Sequence, residues 1–194
     1  MSVFQTYLEL GFNHITDLKG YDHILFIFSL CVIYNIKQWK KILILITAFT
    51  IGHSITLALA TLNLIHIKND LVEFLIPLTI FITAFGNYFQ KSDKFNSPFH
   101  KLKYGFALFF GLIHGLGFSN FLRAILGNEE SLIEPLLAFN IGVEIGQLGI
   151  VLVLLILTLV FTQILNVKNR EWNLILSGAS LGISAMLIFD RWPF

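Results

Sequence analysis

Long apolar runs separated by short polar connections make up most of this chain. A helix needs about 20 apolar residues to cross about 30 Å of hydrocarbon. Six segments approach or exceed that requirement: Gly20 to Tyr34, Ile42 to Ile65, Leu71 to Phe89, Tyr104 to Leu122, Ile133 to Leu165 and Trp172 to Phe189. The first is short unless the chain ahead of it also enters the membrane. There, Phe4, Leu8, Phe12 and Ile15 recur at helical spacing and predict an amphipathic helix at the interface or partly inserted. The pattern predicts an all-α polytopic bundle of about six transmembrane helices, or seven with that N-terminal helix, forming a single integral membrane domain over 1–194.

Charge gives the bundle a direction, because cytoplasmic loops hold the excess of Lys and Arg. One set of connections carries nine, namely Lys37, Lys40, Lys41, Lys91, Lys94, Lys101, Lys103, Lys168 and Arg170, against four on the other side, Lys19, Lys68, Arg123 and Arg191. Both termini are thus expected outside, in the periplasm if the protein sits in a bacterial inner membrane. The acids Glu9, Asp17, Asp70, Glu73, Glu129, Glu130 and Glu134 fall on that outer side. They either attract cations or simply complement helix N-termini.

Composition removes several function classes. Hydrophobic residues make up 56% of the 194 residues and mean hydropathy is +0.77, more than one soluble core could bury. With 13 basic and 12 acidic residues there is no basic field for nucleic acid, and the expected partners are the lipid bilayer and a bound ion. Cys31 is the only cysteine, which excludes an internal disulfide and a thiolate cluster within one chain. The N-terminus lacks a basic n-region and a small-residue cleavage site, so the first span is expected to act as its own insertion signal.

Against this apolar background a few polar clusters stand out: Gly20-Tyr21-Asp22-His23, Thr50 with His53-Ser54, His114 between glycines, and Asn140 to Gln147 with Glu144 between them. An ionisable side chain near the bilayer centre costs about 3 kcal/mol on insertion scales, which makes such residues functional candidates. At 1.5 Å per residue, His53 lies ~17 Å and His114 ~15 Å from the starts of their spans, near the midplane. Glu144 is similarly deep, and Asn140, Glu144 and Gln147 share one helix face. Imidazoles and carboxylates converging from several helices suit a borderline divalent ion such as nickel, cobalt or zinc. Asp22, His23, His53, His114 and Glu144 are the candidate ligands. Thr50, Ser54, Asn140 and Gln147 serve either as interhelical hydrogen-bonding groups or as partners that orient those ligands, and His14 stands beside them. His66 and His100 read as ordinary surface residues. Gly111 and Gly115 form a small-xxx-small face that would bring another helix close to His114.

Four stretches in order resemble the HupE/UreJ family of hydrogenase and urease accessory membrane proteins. They are His14-Ile15 leading to Gly20-Tyr21-Asp22-His23-Ile24-Leu25-Phe26, then Thr47-Ala48-Phe49-Thr50-Ile51-Gly52-His53-Ser54-Ile55-Thr56-Leu57, then Phe110-Gly111-Leu112-Ile113-His114-Gly115-Leu116-Gly117-Phe118, and Phe139-Asn140-Ile141-Gly142-Val143-Glu144-Ile145-Gly146-Gln147. The resemblance implies a six- or seven-helix inner-membrane protein, a nickel or cobalt permease that supplies metalloenzyme assembly. It carries the metal role to Asp22, His23, His53, His114 and Glu144.

The leading expectation is therefore a divalent transition-metal permease. No nucleotide motif is visible, and an inside-negative potential supplies about 4.6 kcal/mol per dication per 100 mV, enough for roughly thousandfold accumulation. The alternative is an intramembrane zinc hydrolase acting on a lipid or peptide, with the same ligands and Glu144 or Asp22 as general base. A haem carrier with His53 and His114 as axial ligands is a third reading, against which the carboxylates argue.

Overall fold

The computed structural model describes residues 2–89, 98–126 and 131–193, with the backbone alone for 98–101. Lys91, Lys94, Glu129, Glu130 and the side chains of His100 and Lys101 lie outside the described residues. Seven α-helices occur among those described: α1 (Val3–Thr16), α2 (Asp22–Cys31), α3 (Trp39–Thr61), α4 (Asn69–Tyr88), α5 (Pro98–Leu126), α6 (Ile133–Leu159, prolonged by a π turn to Ile164) and α7 (Asn169–Asp190).

Five of these, α3 to α7, are long and apolar enough to cross a membrane. The expected first span is a ten-residue helix, α2, only ~15 Å long. The preceding amphipathic stretch is α1, begun by a capping box in which Ser2 and Gln5 bond each other's backbone amides. Asp17 takes extended backbone and stops α1. Neither short helix could hold its place in a bilayer alone, and each is fastened to longer ones.

Helix directions follow from the cross-links. The turn from α3 to α4 closes through Asn63 at φ 60°, a left-handed conformation that asparagine tolerates. Asn69 and Asn120 pair at one end of α4 and α5, while Thr79 meets His114 further in, so these helices are antiparallel. Arg170 at the start of α7 donates to the carbonyls of Asn87 and Tyr88 at the end of α4, satisfying groups a helix C-terminus leaves open. Asp22 at the start of α2 meets Arg191 just beyond α7, and Asn87 reaches Ser29 near the end of α2. Helix α2 therefore runs with α4 and against α3, α5 and α7.

Two helix pairs approach until backbone touches backbone. A Cβ on Gly52 of α3 would strike the Leu108 carbonyl, and one on Gly111 of α5 the Phe49 carbonyl. This reciprocal register makes α3 and α5 parallel neighbours, with Gly115 extending the contact to the His53 carbonyl. Gly11 of α1 and Gly142 of α6 are reciprocal in the same way, through the carbonyls of Phe139 and Leu8, and Gly146 continues that seam against Ile15. A Cβ at Gly149, one turn beyond Gly146, would meet nothing. Apolar residues such as Ile51, Leu152 and Ile156 face outward, while His53, Gln147 and His114 are buried. The bundle is polar at its centre and apolar at its rim, as lipid surroundings require.

The glycine contacts set a stability prediction. Gly111→Leu should lower the melting temperature in detergent by several degrees, the effect of about 1–3 kcal/mol of overpacking. Gly86→Ala, where a Cβ meets no neighbour, should leave it unchanged or raise it.

Candidate metal centre

Each histidine is delivered by the packing just described. His53 follows Gly52 in the α3–α5 seam, His114 lies one turn beyond Gly111, and His14 lies one turn beyond Gly11 in the α1–α6 seam. His23 enters on the first turn of α2. Ligand atoms of His14, His23 and His53 all lie within 4.8 Å of one another, on three different helices. The His14 and His23 rings are 4.7 Å apart between centroids, and the His14 and His53 rings 6.1 Å. His114 borders this trio, its ring 5.2 Å from that of His23.

The free ring nitrogens matter more than the ring spacing. His23 bonds the Gly20 backbone, and its Nε2 is buried without a partner. Both nitrogens of His53 are buried without partners, as is Nε2 of His14. Asn140 approaches His53 but closes no hydrogen bond with it, its Oδ1 also lacking a partner. Thr79 fixes His114: its hydroxyl donates to the Ile76 carbonyl at 2.7 Å, so at 3.0 Å from His114 Nε2 it accepts. The His114 proton therefore sits on Nε2, which leaves Nδ1 as a buried lone pair without a partner. Buried polar atoms without partners each cost about 1–3 kcal/mol, and here those of His14, His23 and His53 converge from three helices with His114 beside them. The arrangement suits a ligand that accepts several nitrogen lone pairs, and a divalent metal ion does so.

The cluster opens beside His14. His14 is half-buried and lines an open depression with Asn13, Asp17, Lys19, Phe118 and Phe121. On the opposite side Phe26, one turn after His23, meets Phe49 and Phe110, each one turn before a histidine on α3 or α5. Because α2 runs against α3 and α5, all three rings fall on the same side of the cluster. Phe26 and Phe49 also pack on His114, with centroids 4.9 and 5.2 Å away. These rings form an aromatic floor.

The two carboxylates lie at other stations. Asp22 is ion-paired with Arg191 at 2.9 Å. Glu144 accepts from Thr47 at 2.8 Å, and one turn along both helices Thr50 donates to Gln147 at 2.8 Å, giving a polar ladder along the α3–α6 seam. Ser54 bonds the Thr50 carbonyl in its own helix, and His66 is exposed. Thr79 and Arg191 escaped the sequence reading, since a threonine in a helix and an arginine after one are commonplace. The Gly-x-x-His spacing shared by Gly11–His14 and Gly111–His114 is the signal that would have raised His14 to equal standing.

The HupE / UreJ protein family model matches residues 1–191. The chain belongs to the HupE/UreJ family. No curated protein and no solved structure matches it. For this HupE/UreJ protein the family, the helical membrane architecture and the histidine cluster agree with one another.

The geometry sets an expectation for single substitutions. His53→Ala and His23→Ala should each reduce nickel or cobalt binding by at least about tenfold, the order expected for losing one of three imidazole donors, while His66→Ala should not. Metal content by mass spectrometry after equilibrium dialysis checks this.

Proposed function

We propose that this protein is a divalent transition-metal permease of the inner membrane, of the nickel and cobalt class, which serves metalloenzyme assembly. The observation that carries the proposal is the group of inward-turned imidazoles on separate helices, with unpartnered nitrogens, open on one side and closed by aromatic rings on the other. In this reading the ion is cargo. It arrives at the depression beside His14 and exchanges water for His14, His23 and His53, with His114 as the adjoining donor. Asp22 and Glu144 meet it before and after the imidazole cluster. From His53 the ladder through Thr50 and Gln147 to Thr47 and Glu144 offers the next polar groups, and the Phe26, Phe49 and Phe110 floor is the barrier that must part.

Neutral donors suit transport, because an imidazole site holds a dication without cancelling its charge. The membrane potential therefore still acts on the ion, with about 4.6 kcal/mol per 100 mV. The mouth at His14 faces the periplasm, in keeping with the Lys and Arg count of the loops. A zinc hydrolase on the same ligands draws less support, since it needs a carboxylate beside the metal-bound water and, among the described residues, no carboxylate oxygen joins the close group of His14, His23 and His53 ligand atoms.

Proteoliposomes loaded with a metal-sensitive dye test the proposal. Imposing an inside-negative potential should drive nickel or cobalt uptake that His53→Ala abolishes; metal retained through chelation, with no potential-driven flux, would refute it.

A further inference from the structure

Asp22 is the first residue of α2 and directly precedes His23. Its Oδ2 holds Arg191 Nη1 at 2.9 Å, with the two side chains 14% and 29% exposed respectively. Its other oxygen, Oδ1, is buried and has no partner. A carboxylate offers about four acceptor positions, so Asp22 is only partly used by the ion pair. Arg191 is always charged and belongs to the end of α7, where Trp192 packs edge-on against Phe74 of α4, with centroids 5.3 Å apart. The helix end that supplies the guanidinium is therefore anchored on an element other than those bearing the imidazoles.

We propose that Arg191 is a built-in counter-cation that holds Asp22 in reserve and sets how firmly the histidine cluster grips its ion. The inference rests on the metal reading above. While Arg191 occupies Asp22, the pair is close to neutral and the ion is held by imidazole alone. When Asp22 is released, its negative charge faces the dication and the grip tightens. Displacement of the α7 end relative to α2 would exchange the two states, so the same residues could capture an ion and later let it go. Arg191 is thus a positioning residue whose charge opposes the cargo.

The test is nickel titration by calorimetry on the full-length protein in detergent. Affinity is compared among wild type, Arg191→Gln, Arg191→Lys, Asp22→Asn, the Asp22→Asn/Arg191→Gln double variant and His53→Ala. Charge near the site predicts an order. Arg191→Gln binds at least about tenfold tighter than wild type, the double variant and Arg191→Lys fall within about threefold of wild type, and Asp22→Asn binds about tenfold weaker. A merely structural role for Arg191 predicts weaker binding on its removal. Arg191→Gln binding no tighter than wild type overturns the proposal. If that variant does not fold, a double variant as weak as Asp22→Asn overturns it instead. Nickel binding absent from wild type, or undiminished in His53→Ala, defeats the metal reading itself and this inference with it.

Discussion

Backbone-to-backbone contact at glycine is the constraint on which the rest of the molecule depends. In lipid there is no hydrophobic force to press helices together, and close approach through small residues supplies dispersion instead. Gly52 against Gly111 and Gly11 against Gly142 bring two pairs of helices into parallel register. Three of the four clustered histidines sit within one turn of those contacts. A side chain at any of these glycines would separate the helices and, with them, the imidazoles.

Polar groups then decide what the close packing is for. Most buried hydroxyls among the described residues are satisfied within their own helix, as Ser29 is by Leu25 and Thr158 by Leu154. The imidazole cluster departs from this rule, with partnerless nitrogens on His14, His23, His53 and His114. Thr79 is informative because it consumes one nitrogen of His114 and fixes the tautomer, leaving the other directed elsewhere. Buried imidazole lone pairs left free in this way are prepared for a Lewis acid.

Asymmetry across the cluster adds direction. The half-buried His14 opens to a surface depression, while Phe26, Phe49 and Phe110 close the other side. The carboxylates flank the imidazoles, one held by an arginine and one by a threonine. Charge is thus kept beside the site and out of its centre, where a fixed carboxylate would bind a dication most strongly and release it most slowly.

The sequence by itself determined the class of molecule, the five long helices and the identity of the residues worth suspecting. Apolar run length reads directly against bilayer thickness, and an ionisable residue in such a run is conspicuous because it is costly. It also placed His53 and His114 at similar depth, since rise per residue is nearly constant in a helix. Tertiary structure alone decided the rest. That His14 joins His23 and His53, that Thr79 sets the His114 tautomer, and that Asp22 turns to an arginine 169 positions away all depend on which helix faces meet. Those meetings are chosen by glycine contacts between distant segments, and periodicity within one segment carries no information about its partner.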